Sequence, residues 1–151
     1  VHQQGVPIIQ INIPGGCHLD ANMIENALNN LPLKGIDLLL IENVGNLVCP
    51  AEFDLGEHKK VILASTPEGD DKPYKYPLMF TEADVVLVNK LDLLPHVDFQ
   101  INRFCEGVTG LNPSVRIFQV SCKTGEGLEQ WFSWLLDQIE EMKNMKARPA
   151  P

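Results

Sequence analysis

One stretch constrains this chain more than any other: Ile36-Asp-Leu-Leu-Leu-Ile-Glu42-Asn43-Val44-Gly45-Asn46-Leu47-Val48-Cys49-Pro50. Its first half is a continuous apolar run, the pattern of a strand buried on both faces of a parallel sheet. With no intervening helical turn it then delivers a carboxylate, two amides, a glycine and a cysteine. This places Glu42 and Gly45 at the carboxyl edge of a sheet, where doubly wound folds bind their ligands. Glycine lets backbone approach a phosphate closely, and a carboxylate can hold magnesium directly or through water. A core strand followed by an ordinary polar loop gives the same pattern, so two motifs further on have to decide.

Strands and helices alternate along the rest of the chain. Val6–Ile13 predicts a strand, Pro14-Gly15-Gly16 a turn, and Asp20 caps a helix reaching about Leu31 with Met23, Ala27, Leu28 and Leu31 on one stripe. After the run at 36–42, Lys60–Ser65 is a third strand. The polar span from Thr66 to Pro77 reads as a surface loop with scope for movement, followed by a short helix around Leu78–Glu82. Asp84–Asn89 is a fourth strand. A helix from about Val97 to Gly107 sends Phe99, Phe104 and Val108 inward, and Val115–Val120 is a fifth strand. The last helix, Leu128 to about Lys146, carries Leu128, Trp131, Phe132, Leu135, Leu136 and Ile139 on a broad apolar face. Alternation with a polar loop after each strand predicts an α/β fold, a mainly parallel sheet flanked by helices. Residues 1–146 read as one domain and 147–151 as a disordered tail.

Composition narrows the partners. A net charge of −8 over 151 residues leaves no excess of Lys and Arg to neutralise nucleic-acid phosphates or an anionic membrane. No apolar run approaches the roughly 20 residues of a membrane span, and no signal-peptide pattern opens the chain. Cys17, Cys49, Cys105 and Cys122 are scattered, which suits reduced thiols in a cytoplasmic protein.

Two motifs carry recognition chemistry. In Asn89-Lys90-x-Asp92, directly after a strand, a carboxylate can accept parallel hydrogen bonds from guanine N1–H and its exocyclic amine. Adenine offers no such pair, so the carboxylate would be left unpaired. The Lys90 stem can lie along the base, and Asn89 can tie neighbouring loops together. Ser121-Cys122-Lys123 follows the next strand, where a backbone N–H can meet the guanine carbonyl.

The order Glu-Asn-x-Gly, Asn-Lys-x-Asp, Ser-x-Lys resembles a P-loop GTPase. More closely, Gly16-Cys-His-Leu-Asp-Ala21, Ile41–Pro50 and Glu68-Gly-Asp-Asp-Lys-Pro-Tyr-Lys-Tyr-Pro77 resemble the hydrogenase nickel-incorporation GTPases, the HypB family. That likeness covers essentially the whole chain. It implies a metal site for nickel or zinc at Cys17, His18 and Cys49, and a switch motif near magnesium and the γ-phosphate at Glu42 and Gly45. It implies guanine recognition by Asn89, Lys90 and Asp92, completed by Ser121, Cys122 and Lys123, with Cys122 standing where such loops more often carry alanine. Lys75 corresponds to a residue able to reach across a nucleotide-dependent dimer. GTP or GDP with magnesium would be the ligand, and the nickel chaperone HypA and a hydrogenase large-subunit precursor the partners.

The departure is the family's Gly-x-x-x-x-Gly-Lys-Ser/Thr loop, which occurs nowhere in these residues. Without its nest of N–H groups and its lysine, the fragment alone is expected not to hydrolyse GTP. The chain therefore reads as the later two-thirds of a GTPase domain, its first strand and phosphate loop missing. Thiolates and imidazole suit Zn²⁺ and Ni²⁺, and three ligands from one chain fit a site completed by a second chain or open for transfer. Cys105, on an amphipathic helix, reads as core. Three alternatives stay open: a metal-binding or protein-interaction fragment without nucleotide activity, a urease-accessory type of GTPase, and an unrelated enzyme using Cys17 and His18 as a dyad. The dyad ranks lowest because adjacent side chains in an extended segment point apart.

Overall fold

The computed structural model describes residues 5–147, which fall into two compact units divided between His58 and Lys59. The second unit holds a three-stranded parallel sheet in the order β1 (Val61–Ser65), β2 (Val85–Asn89), β3 (Arg116–Gln119). Val61 pairs with Val85 and Val85 with Arg116, and the ladders run in step from there to the Ser65–Asn89 and Val88–Gln119 pairs. All three strands therefore point the same way, and the loops that follow them leave from one edge of the sheet. β2 is β-branched or apolar through Val88 and is buried on both faces, as a central parallel strand should be. β1 alternates, with Ile62 and Ala64 buried and Val61 and Leu63 exposed.

Helices α2 (Lys72–Lys75) and α3 (Pro77–Thr81) lie between β1 and β2, and α4 (Ile101–Leu111) between β2 and β3. α4 packs on α2 and α3, with Phe104 edge-on to Phe80 at 5.9 Å and tilted against Phe99 at 5.4 Å. Phe99, Phe104 and Val108 are buried, as their spacing requires. Val85 and Leu87 of β2 share a cluster with Trp134 of α5 (Leu128–Ala147), joined by Phe118, Trp131 and Leu135. Asp84 anchors the start of β2 by accepting hydrogen bonds from Lys60 N at 2.8 Å and Lys59 Nζ at 3.0 Å.

Several expectations need correction. Residues 6–13 and 36–42, read as strands, belong to no ladder among the described residues, so the sheet has three strands and not five. An apolar run expresses a preference for burial, whereas a strand also needs a neighbour's donors and acceptors. Leu40, in the middle of the second run, is 76% exposed. The first helix, α1 (Ala21–Leu28), is capped by Asp20 Oδ1 accepting from Met23 N at 2.9 Å, but stops three residues early. Asn30 turns its amide back onto Asn26 O at 3.1 Å, and Pro32 bars any continuation. The buried residue of α1 is Ile24, and Met23, Ala27 and Leu28 are half-buried.

The span 66–77 is no featureless loop. Thr66–Glu68 and Lys72–Lys75 are helical, and Thr66, Asp70 and Pro73 are buried. Asp70 accepts from Gln100 N at 2.9 Å and from Arg103 Nη1 at 2.7 Å, which pins this span to the start of α4. α4 begins at Ile101 because Leu91–His96 forms a 3-10 turn containing Pro95, after which Val97 is extended. On α5 the inward residues are Trp131, Trp134 and Leu135, while Phe132 and Leu136 are exposed. Ala147 closes α5, and the rest of the expected tail, 148–151, lies outside the described residues. Cys105 is half-buried, and burial pushes its thiol up. Among the described residues no helix is long and apolar enough to cross a membrane.

Candidate functional site

Each unit gathers one group of polar side chains. In the first unit Cys17 follows the Pro14-Gly15-Gly16 turn, and Cys49 opens a 3-10 turn, Cys49–Glu52, with Pro50 at its second position. The two sulfurs lie 2.8 Å apart, with Cys17 Sγ donating, and both thiols are free. His18 Nδ1 is 3.6 Å from Cys17 Sγ, and all three potential ligand atoms lie within 4.8 Å of one another. The chain bends at Cys17 and His18, which is why two neighbours expected to point apart converge. The contact with the Cys49 sulfur, and secondarily burial, hold the Cys17 thiol above its ordinary range.

Two amides and one ring frame this cluster. Asn43 Oδ1 accepts from Leu19 N at 3.0 Å and from Val44 N at 2.8 Å. Asn46 donates through Nδ2 to Cys17 O at 3.4 Å and accepts at Oδ1 from Val48 N at 2.9 Å. Phe53 stacks on His18 with ring centroids 3.8 Å apart and planes within 12°. The donor set fits a borderline ion. A tetrahedral zinc with Zn–S near 2.3 Å would hold the sulfurs about 3.8 Å apart, so the thiols would separate by about 1 Å on binding.

In the second unit the loops after β2 and β3 meet. Asn89 Oδ1 accepts from Lys90 N at 2.7 Å and from Cys122 N at 3.1 Å, bridging the two loops across 33 residues of sequence. Lys90 adopts φ 66°, the one left-handed non-glycine among the described residues, and its carbonyl accepts from Thr66 Oγ1 at 2.8 Å. Asp92 Oδ1 accepts from the Ser121 hydroxyl at 2.6 Å, and its Oδ2 lies 3.8 Å from Lys123 Nζ. Ser121 is fully buried; its Oγ accepts from Thr124 N at 3.2 Å and its backbone N donates to Glu126 O at 2.9 Å. Gly127 closes this loop at φ 72°, where a Cβ would sit 2.0 Å from Gln119 O. A preorganised carboxylate beside a backbone-lined loop is suited to a planar donor pair.

Residues 1–119 match the family described as CobW/HypB/UreG, nucleotide-binding domain. The chain belongs to that family. Hydrogenase maturation factor HypB of Escherichia coli K12 is 49% identical over 138 residues, covering 91% of this chain and 48% of the relative. The chain thus spans about half the length of the curated relatives it matches. A crystal structure of HypB from Helicobacter pylori in complex with nickel superposes with a TM-score of 0.88 at 41% identity, over 93% of this chain and 67% of that one. HypB from Archaeoglobus fulgidus superposes with a TM-score of 0.79, also at 41% identity, over 83% and 67%. Within the CobW/HypB/UreG match lie Cys17, His18, Cys49 and Asn89–Asp92, whereas Ser121–Lys123 fall beyond it.

The remaining predicted residues are not gathered into either group. Glu42 is exposed, and nothing lies within 4 Å of where a Gly45 side chain would start. Among the described residues Cys17, His18 and Cys49 are the only set of three clustered ligands. Glu42 therefore joins no ligand cluster among the described residues. Lys75 pairs with Asp71 one turn earlier, each raising or lowering the other's proton affinity in the sense that keeps both charged. Sequence reasoning missed Asn46, Phe53 and Thr66 as framing residues and gave Asn43 no role. Their contacts join segments far apart in the chain, and the only local signal was two amides flanking a glycine.

Proposed function

We propose that the protein containing this chain is a GTP-binding and GTP-hydrolysing metallochaperone that delivers nickel during maturation of nickel–iron hydrogenase. The observation that carries the reading is the convergence of Cys17, His18 and Cys49, three soft or borderline donors within 4.8 Å from segments 31 or 32 residues apart, so that Cys17 and Cys49 frame one position. Three ligands leave a metal coordination position open, which suits an ion that is cargo and has to leave. The relatives' names, hydrogenase maturation factor HypB, and the nickel complex of one of them support the choice of metal and client.

Asp92 would read guanine. With Oδ1 held by the Ser121 hydroxyl and most of the side chain shielded, it keeps lone pairs for the base N–H groups. Asn89 holds both base-facing loops in one piece, and the Cys122 N–H is committed to that bridge. Magnesium, when bound with the nucleotide, would neutralise phosphate charge, with Glu42 contributing one oxygen. Gly45, with no side chain, would let that loop follow the terminal phosphate. Zinc is the competing ion for the thiol site. Dimerisation with GTP would bring Lys75 to the partner's nucleotide only after it leaves Asp71. HypA and a hydrogenase large-subunit precursor are the proposed partners, in the cytoplasm.

The test is nickel titration of the full-length protein, with and without a non-hydrolysable GTP analogue, alongside Cys49→Ala. The parent should bind one ion, with an affinity that differs between nucleotide states, and Cys49→Ala should lose it. Equally tight binding by Cys49→Ala would overturn the metal assignment. Identical parental affinity in both nucleotide states would overturn the coupling.

A further inference from the structure

Cys17 and Cys49 sit on loops that share no strand pairing, yet their sulfurs lie within 2.8 Å. Something other than a sheet has to hold those loops in register, and the structure offers two side-chain amides. Asn46 reaches both: its Nδ2 donates to the carbonyl of Cys17 itself, and its Oδ1 accepts from Val48 N, the residue before Cys49. Its backbone N–H donates to Val44 O at 2.7 Å, which fixes the turn that presents the side chain. Asn43 makes the second tie, its Oδ1 shared between Leu19 N, one residue past His18, and Val44 N.

We propose that Asn46 and Asn43 are the positioning residues of the thiol–imidazole site, holding the 17–19 and 43–49 loops together so that the two thiols are preorganised for one ion. This rests on the metal reading above. Residues that orient metal ligands without touching the metal commonly change affinity by 10- to 100-fold when removed. Both amides flank Gly45, so any shift of that residue is passed to the Cys17 and Cys49 loops through the same two ties.

The two amides differ in a way that experiment can use. Asn43 employs only its oxygen, so Asn43→Asp preserves both bonds. Asn46 employs oxygen and nitrogen, so Asn46→Asp would set a carboxylate oxygen against the Cys17 carbonyl. Two readouts on full-length protein are needed. The first is nickel affinity. The second, on metal-free protein, is the rate at which diamide closes the Cys17–Cys49 disulfide. There the two thiols give up two protons and two electrons to the diazene, which becomes the hydrazine.

Asn46→Ala and Asn43→Ala should each weaken nickel about tenfold or more and slow closure by a similar factor. Asn46→Asp should also slow closure, while Asn43→Asp should match the parent within about twofold. Unchanged closure and unchanged nickel affinity in Asn46→Ala would overturn the proposal. So would failure of Asn43→Asp to restore what Asn43→Ala loses, since a generic folding defect would not respect that distinction. Closure is read without metal, so slow closure in Asn46→Ala with nickel binding intact in Cys49→Ala would uphold the positioning role and reject the metal reading.

Discussion

Replacing Asp92 by Asn isolates the proposed guanine contact with little disturbance to the fold. Ser121 is fully buried and donates its hydroxyl to Asp92 Oδ1 at 2.6 Å, so an alanine there would orphan a buried donor. Asparagine keeps an oxygen for Ser121 and puts an amide nitrogen where Oδ2 stood. That nitrogen then faces the guanine N–H groups, donor against donor. One charge-assisted hydrogen bond is worth about 1.5–3 kcal/mol, and Asp92 is shielded enough, at 14% side-chain exposure, for that range to apply. With an unmet donor added, the loss should be about 3 kcal/mol, or on the order of 100-fold in GTP affinity. The lost pairing with Lys123 contributes little, because that ammonium is 3.8 Å away and 79% exposed, so unfolding free energy should change by less than about 1 kcal/mol. Xanthosine triphosphate carries a carbonyl where guanine has its amine, so the variant should bind it better than the parent does. The assay is competition against a fluorescent guanine nucleotide on full-length protein, with ATP as control. Equal GTP affinity in parent and variant, or equal ATP and GTP affinity in the parent, would rule out guanine recognition by Asp92.

Two further outcomes follow from the geometry. Gly127→Ala should destabilise the protein by about 2 kcal/mol or more, because φ 72° disfavours a side chain and its Cβ would meet the Gln119 carbonyl at 2.0 Å; a denaturant midpoint unchanged from the parent would contradict this. Cys17 has its proton affinity raised by the Cys49 sulfur, so nickel must displace a proton and its affinity should fall as pH falls. The metal-free protein should behave in the opposite sense, keeping the stability of that contact at low pH and losing it as pH rises through the Cys17 value. Calorimetric titrations in buffers of different ionisation enthalpy would show the proton release, and a pH-independent nickel affinity would exclude it.

Features with local signals were legible in the chain alone. β2 was legible because Val85–Val88 is continuously apolar and ends in Asn-Lys-x-Asp, and the start of α1 because Asp20 sits where a cap must. Phe99, Phe104 and Val108 were assigned inward by spacing alone, and they are buried. The likeness of Gly16–Ala21 and Ile41–Pro50 to one family was also in the residues, and the chain belongs to that family. The rest depended on contacts between distant segments. Residues 6–13 and 36–42 have strand composition without strand pairing, since pairing depends on a neighbour that periodicity does not reveal. Which side of α5 is buried depended on where Val85, Leu87 and Phe118 lay, so Trp134 is inward while Phe132 and Leu136 are not. The two candidate sites are likewise made of contacts between distant segments: Asn89 with Cys122, Asp92 with Ser121, Asn43 with Leu19, Asn46 with Cys17, and His18 under Phe53. A hydrogen bond of 3 Å between residues about 30 positions apart leaves no periodic trace in the chain, so only the folded geometry could assign it.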